Sequence, residues 1–230
     1  TEGWALADHE TYGWKLQRLL PSARVSNFGT AGYGTYQSLL MLKKQLGQQP
    51  PPAIVVYGFI QHHEVRNTAG ASWLKSVAIG SQRGHAAVPY ASIDASGRLV
   101  PHAPVSYRVA PFSEYSALLT LAQDVFATHA FEREVDPRWL TQTLIRKMAH
   151  TTATHGADFL VVILSATPSP RRQYARFFRA ARIPFADCVL PNLKALQLQG
   201  YGHPNGVANT RWASCIAKAL RQQFRVQPGR

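Results

Sequence analysis

The sequence has few acidic residues, few cysteines and no long apolar run. Among its 230 residues there are 12 Asp or Glu against 25 Lys or Arg, which gives a formal net charge of +13. Cys188 and Cys215 are too few for a disulfide framework, and the sequence leaves open whether they pair. Because no uninterrupted apolar stretch reaches about 18 residues, we expect no membrane span in this chain. No signal peptide is visible, although the abrupt start is compatible with a removed signal or an upstream anchor.

The excess of basic residues suits an anionic partner, such as nucleic acid, an anionic membrane surface or an acidic polymer. The excess is densest at Arg171, Arg172, Arg176, Arg179 and Arg182, whose spacing puts several of them on one side of a helix. The simplest interpretation of that cluster is a solvated helix face. Neither zinc-finger spacing nor the aromatic signature of an RNA-binding fold accompanies it, so we expect no nucleic-acid partner.

Apolar runs alternate with helical periodicity along the chain. The patterns predict helices at residues 9–20, 36–46, 113–130, 137–155, 171–182 and 207–224, and strands at 24–28, 53–57, 159–164 and 183–186. Two of these strands are apolar throughout, which is typical of strands covered on both faces of a parallel sheet. The alternation predicts an α/β fold with a doubly wound parallel sheet, formed by residues 1–230 as one domain.

Residues 68–112 interrupt this alternation. The turn signal Asp94-Ala95-Ser96-Gly97 stands between two short extended runs, which predicts a β-hairpin inside an insertion. The insertion also carries Trp73, Tyr90 and Tyr107. These aromatic side chains would either wall the site, by stacking on a sugar or covering an acyl chain, or form the small core of the insertion itself.

Ligands of a doubly wound sheet bind at the carboxyl ends of its strands, so the loops there hold the candidate site. The turn after residues 24–28 contains Gly29, Gly32 and Gly34. Glycines at a strand-to-helix turn let backbone N–H groups face an oxyanion or a phosphate, but they also simply permit a tight turn.

Two further loops carry titratable side chains. After residues 53–57 come His62, His63, Glu64 and Asn67, which favour a hydrogen-bonding role in the site. No other cluster of His, Asp or Glu supplies the remaining ligands of a metal, so we expect no metal. Before the last predicted helix, His203 lies between a glycine and a proline. A neutral imidazole there could act as a general base, or it could be a surface or capping residue.

Taken in order, these loops resemble the sequence blocks of the SGNH (GDSL-like) serine hydrolase family. Thr1-Glu2-Gly3-Trp4 is similar to the end of the family's G-D-S-x-T-x-G block, residues 27–32 to its second block, and His203-Pro204-Asn205 to its final block. Residues 27–37 are also similar to a bacterial subgroup that is often exported or membrane-anchored. The resemblance spans nearly the whole chain and implies a three-layer α/β/α, flavodoxin-like fold and an ester hydrolase without a cofactor.

The resemblance also implies roles for individual residues. His203 is the expected catalytic base, and the nucleophilic serine would lie two residues before Thr1, outside this sequence. Gly32 matches the glycine whose N–H donates to the oxyanion. His63 stands where the family has an asparagine donor, with Glu64 in place of the following aspartate.

Some of these assignments leave alternatives open. A slip in the alignment would make Gln61 or Asn67 the oxyanion donor instead of His63. We expect His62, Asn67 and Tyr201 to line the substrate site. The positions of the family's acid hold Gly200 and Tyr201, neither of which is a carboxylate. Either His203 therefore works without an orienting acid, or Asp187 or Glu64 supplies one.

The strand leading to the serine would be central in such a sheet, and without it two strands would have open edges in the core. We therefore expect the natural chain to begin upstream of Thr1, and to act on the exported side of a membrane rather than in the cytoplasm. The expected substrate is a small-molecule or carbohydrate ester, and the oligomeric state is open. The alternatives are an O-acyltransferase with the same residues, a non-catalytic carbohydrate-binding relative, and an enzyme of another fold that uses Thr1 as its nucleophile.

Overall fold

The computed structural model describes residues 3–48, 50–80, 86–113, 115–131 and 135–226. Its helices are α1 (Tyr12–Leu19), α2 (Thr35–Gln48), α3 (His63–Asn67), α4 (Ala71–Gly80), α5 (Ala117–Ala130), α6 (Pro137–Thr154), α7 (Pro168–Ala180) and α8 (Gly206–Phe224). Its strands are β1 (Ile54–Ile60), β2 (Val88–Ile93), β3 (Leu99–Val105), β4 (Asp158–Ser165) and β5 (Phe185–Asp187). The expected α/β class is confirmed.

The chain divides into two compact units. The first falls within Thr1–Ala31, Gln48–Gln61 and Ala149–Arg230, and the second within Gly32–Gly47 and His62–Met148. The chain therefore passes between the units several times. The expectation of a single domain stays a prediction.

The first unit contains a parallel sheet with the order β1-β4-β5. The middle strand, β4, is buried from Phe159 to Leu164, which is why its sequence is an unbroken apolar run. On one face, Leu160, Val162 and Leu164 belong to a core that includes Leu16 of α1. The same core contains three residues of α8, Trp212, Ile216 and Leu220. On the other face, the ring of Phe59 lies 4.4 Å from that of Tyr174 in α7.

The prediction of a strand at residues 24–28 is wrong. These residues form neither helix nor strand, and β1 stands at the edge of the described sheet. Side-chain bonds from α1 hold the segment instead: Gln17 Nε2 donates to the carbonyl of Ala23 at 2.7 Å, and Gln17 Oε1 accepts from the amide of Val25 at 2.8 Å. Only Val25 and Phe28 are apolar in this segment, and Phe28 is exposed, so no buried face favours a strand here. A strand also needs a neighbouring strand to satisfy its backbone groups.

The second unit contains the expected β-hairpin. Strands β2 and β3 pair in antiparallel fashion, and the Asp94 carboxylate accepts from the amides of Ser96 and Arg98 across the turn. That this segment is an insertion stays a prediction. Helix α4 was not expected, and α5 begins after Ser116, whose Oγ accepts from the amide of Leu119, rather than at Ser113.

A small core joins these elements of the second unit. It contains Leu74 and Ala78 from α4, Val88 from β2, Ala127 from α5, and Tyr107. Tyr107 is buried and Tyr90 packs against the same cluster, so both aromatic side chains serve this core, which was one of the two expected roles. None of the described helices combines the length and apolar character needed to cross a bilayer.

Cys188 and Cys215 form a disulfide bond, which settles the question that the sequence left open. Cys188 directly follows β5, and Cys215 lies in the middle of α8. The bond therefore closes a loop of the first unit that contains His203.

Candidate functional site

The glycine turn before α2 is held by the segment that follows β1. Arg66 Nη1 donates to the carbonyl of Tyr33 at 2.8 Å. Gly32 has a φ of +76°, which favours glycine, and a Cβ atom at Gly34 would lie 2.8 Å from both Arg66 Cβ and Asn67 Oδ1. Two of the three loops that the sequence selected are therefore in contact within the second unit.

Asn67 ties this turn to two helices from a fully buried position. Its Oδ1 accepts from the amide of Tyr36 at 3.0 Å, in the first turn of α2. Its Nδ2 donates to Thr35 Oγ1 at 3.2 Å and to Thr141 Oγ1 of α6 at 2.7 Å. These bonds use both N–H groups of the amide, so Asn67 positions the turn and has no proton left to donate to an oxyanion.

His63 is buried at the start of α3. Burial lowers the pKa of its imidazole to about 3, and the neighbouring charges of Arg66 and His62 act in the same direction. The side chain is therefore neutral at neutral pH and can offer an N–H group without carrying charge. Burial and Arg66 also lower the pKa of His62.

Trp73 of α4 brings several of these side chains together. The Arg66 guanidinium lies 4.5 Å from the centre of its ring, and the His62 ring meets it edge to face at 5.8 Å. A Cβ atom at Gly32 would lie 3.4 Å from Trp73 Cζ2, so the indole also borders the glycine turn. The indole Nε1 is buried and has no hydrogen-bond partner among the described residues.

Glu64 and Gln61 are engaged in other contacts. Glu64 Oε1 accepts from Arg138 Nε at 3.1 Å, with only 12% of the glutamate side chain exposed. Gln61 Oε1 accepts from both the amide and the hydroxyl of Thr167, the residue before α7. Gln61 therefore caps a helix of the first unit.

His203 lies in the first unit, in the loop between β5 and α8. Its carbonyl accepts from the amide of Leu198 at 2.7 Å, and two residues later Asn205 Oδ1 caps α8 by accepting from the amides of Val207 and Ala208. These bonds fix the backbone on both sides of the histidine. Its exposed ring stacks on Trp4, with the ring centroids 5.9 Å apart.

Of the two positions where the family has its acid, the backbone at Gly200 adopts a conformation that favours glycine. Gly200 and Gly202 have φ angles of +78° and +65°, a conformation that costs side-chain-bearing residues free energy. Tyr201 between them is exposed, and its expected place in the substrate site stays a prediction. Asp187 is paired with Arg171 at 2.6 Å, and no carboxylate bonds to the His203 ring in the described part of the chain.

The geometry adds two residues that sequence patterns did not assign to the site. Arg66 bonds to the glycine turn, and Trp4 contacts His203. Trp73, which was expected either to wall the site or to pack in the core of the insertion, borders the glycine turn. Trp4 was recognisable only as part of the first sequence block, and nothing in the sequence marked Arg66.

Within the residues that the structure describes, no three side chains of His, Cys, Asp or Glu gather as metal ligands would. Comparisons with protein-family models, with curated proteins and with solved structures return no match to this chain.

Proposed function

We propose that this chain is the greater part of an SGNH-type serine ester hydrolase that acts through a covalent acyl-serine. The observation that carries the proposal is the stacking of His203 on Trp4. Trp4 belongs to the segment that resembles the end of the nucleophile block, and the serine is expected five residues before it. The contact therefore brings the expected base against the segment that follows the expected nucleophile.

In the proposed reaction the serine hydroxyl attacks the ester carbonyl while His203 takes its proton. The C–O bond to the alcohol then breaks, and His203 returns the proton to the departing alkoxide. Water attacks the acyl-serine in the same way, which releases the carboxylic acid and restores the serine. His203 would carry the proton in both steps without an orienting carboxylate, so we expect a slower enzyme than one with a complete triad.

We assign the oxyanion role to two donors, the backbone N–H of Gly32 and the neutral imidazole of His63. A donor of this kind contributes about 3 kcal/mol to transition-state stabilisation. The low pKa of His63 supports the role, because the imidazole offers its N–H in the same form across the working pH range. We expect His63→Asn to retain activity within about tenfold and His63→Ala to lose about 10²-fold in kcat.

The open edge of β1 supports a strand upstream of Thr1. Residues 54–56 of β1 are only half-buried, whereas every residue from Phe159 to Leu164 of β4 is buried. A strand laid along β1 and leading to the serine would cover those side chains and give residues 24–28 a neighbour. The sheet would then have the strand order of a flavodoxin-like fold, with the serine at the carboxyl edge.

The disulfide supports an exported location. Such bonds persist in oxidising compartments and are rare in the cytosol. In such a compartment, the proposed substrate is a small-molecule or carbohydrate ester located outside the cytoplasm.

The experiment is hydrolysis of p-nitrophenyl acetate by the full-length chain, including the residues that precede Thr1. We expect His203→Ala to lower kcat/KM at least about 10³-fold. His129→Ala, which removes an exposed histidine of α5, serves as the matched control and should leave the rate unchanged. Activity that survives in His203→Ala, or that a chelator removes, would contradict the proposal.

The full-length protein also allows the two alternative functions, an O-acyltransferase and a non-catalytic relative, to be distinguished from a hydrolase. Adding a sugar alcohol as acceptor would convert the acyl-serine to a new ester if the chain is an O-acyltransferase, and the product can be identified by mass spectrometry. A folded full-length chain that binds sugars and never forms an acyl adduct would identify a non-catalytic relative.

A further inference from the structure

The outer face of α7 presents a row of arginines that the proposed reaction does not use. Arg172, Arg176 and Arg179 follow one another at helical spacings of four and three, and all three are exposed. No carboxylate of the described residues pairs with any of them. Like charges at this spacing destabilise a helix, so the row has a cost in stability that solvation of the helix face does not explain.

These arginines line a groove rather than a flat surface. The groove has a volume of about 370 Å³ and is bordered by Pro168, Ala175, Asp187 and the four arginines of α7. We call it the arginine groove. Its single acidic side chain, Asp187, is already neutralised by Arg171 at 2.6 Å.

The arginine groove begins at the edge of the sheet where the proposed site lies. Pro168 starts α7 just after β4 ends at Ser165, and Asp187 is the last residue of β5. From there it follows α7 to Arg179, about 16 Å at 1.5 Å per residue. Arg179 and Arg182 also border a second, shallower cleft beyond the end of the helix. The charge therefore continues in one direction away from the carboxyl edge, as an extended ligand requires.

Guanidinium groups bind carboxylates and phosphates through paired N–H donors, which the ammonium groups of lysines cannot do. The aromatic side chains of α7, Tyr174, Phe177 and Phe178, are all buried, so the groove offers no surface on which nucleic-acid bases could stack. Its outer face also lacks the exposed apolar side chains by which an interfacial helix enters a membrane. A carboxylated polysaccharide needs neither a stacking surface nor an apolar face, so its requirements match the side chains of this groove.

We infer that the arginine groove binds an acidic polysaccharide through its carboxylates, and that an ester carried by this polymer is the substrate of the proposed site. The part that concerns the ester rests on the proposed function. The binding of the polymer stands independently of it. Successive carboxylates would pair with Arg172, Arg176 and Arg179 and so lead the chain to the carboxyl edge of the sheet.

The test measures binding of oligogalacturonate of defined length by isothermal titration calorimetry, using the full-length chain with His203→Ala so that turnover plays no part. We expect the triple variant Arg172→Gln, Arg176→Gln, Arg179→Gln to lose at least about tenfold in affinity. The triple variant Lys43→Gln, Lys44→Gln, Lys218→Gln changes the net charge equally at exposed positions and should bind within about twofold of the parent. Replacing the three arginines by lysines should give an intermediate affinity.

The methyl-esterified oligomer, which has the same sugars without the charges, should not bind. Equal loss of affinity in the two glutamine variants would overturn the inference, because net charge alone would then attract the polymer. Tighter binding of a single-stranded oligonucleotide or of phosphatidylglycerol vesicles at the same ionic strength would also overturn it.

Binding of oligogalacturonate by a chain that never cleaves nitrophenyl esters would refute the proposed function and leave the groove assigned. Cleavage of nitrophenyl esters by a chain that does not bind oligogalacturonate would refute the assignment of the groove and leave the proposed function standing.

Discussion

At the scale of single residues, His63 shows how burial determines chemistry. An exposed imidazole changes charge near pH 6.5, whereas His63 stays neutral until the pH approaches 3 because the folded protein penalises its charged form. In the unfolded chain the same side chain takes up a proton below about pH 6.5. The unfolded state therefore binds more protons in acid, and the contribution of His63 to stability is complete above pH 6.5 and is lost as the pH falls.

We expect the free energy of unfolding to fall by about 2 kcal/mol between pH 6.5 and pH 5 because of His63 alone. His63→Asn removes the titrating group and should remove this part of the slope, whereas His129→Asn at an exposed position should keep it. Urea denaturation at the two pH values measures the difference. Parallel slopes for the parent and His63→Asn would show that His63 is not held neutral by the fold.

Gly34 and Gly47 give a matched pair at the two ends of the same helical segment. A methyl group at Gly34 would approach Arg66 Cβ and Asn67 Oδ1 within 2.8 Å, while nothing lies within 4 Å of a methyl group at Gly47. We expect Gly34→Ala to lower the free energy of unfolding by about 2 kcal/mol. Gly47→Ala should raise it by up to about 1 kcal/mol, because alanine favours the helix. Thermal denaturation of both variants checks the signs, and a neutral Gly34→Ala would mean that the turn and α3 are not packed together.

At the scale of elements, the disulfide controls the loop that carries His203. It joins the end of β5 to the middle of α8 across a sequence separation of 27 residues. Closing a loop of this length in the unfolded chain corresponds to about 3.5 kcal/mol in the chain-entropy account. The bond therefore stabilises the fold and limits how far the loop can move.

We expect Cys188→Ala with Cys215→Ala to lower the free energy of unfolding by about 2–4 kcal/mol, measured in urea against the parent. Reducing agent should have the same effect on the parent and none on the double variant. If the disulfide also positions His203, the double variant should lose activity while still folded. An unchanged rate below the unfolding transition would limit the bond to a role in stability.

The elements themselves were largely predictable because their signals are local. The apolar run of β4 and the Asp94-Ala95-Ser96-Gly97 turn each identified their structure from neighbouring residues alone. The strand expected at residues 24–28 failed because pairing depends on a partner elsewhere in the chain. The link from Asn67 to Thr141 could not be predicted either, because it spans 74 residues and no local pattern marks it.

At the scale of the whole molecule, the sequence supplied the order of the candidate site and the structure supplied its contacts. The order of Gly32, His63 and His203 along the chain was enough to suggest a family. Only the structure shows that Asn67 fastens the glycine turn, and that Asp187 and Glu64, the two candidate acids, are each paired with an arginine. Pairing of that kind cannot be deduced from a chain in which arginine is abundant.

The central claim is that the chain forms a covalent adduct on a serine activated by His203. The most direct test treats the full-length protein with a fluorophosphonate, which attaches to an activated serine hydroxyl with loss of fluoride, and follows it by intact-mass and peptide mass spectrometry. The account predicts one adduct, on the serine two residues before Thr1, that is absent in His203→Ala and still forms in His129→Ala. A folded protein that forms no adduct, or forms one at another residue regardless of His203, would contradict the account.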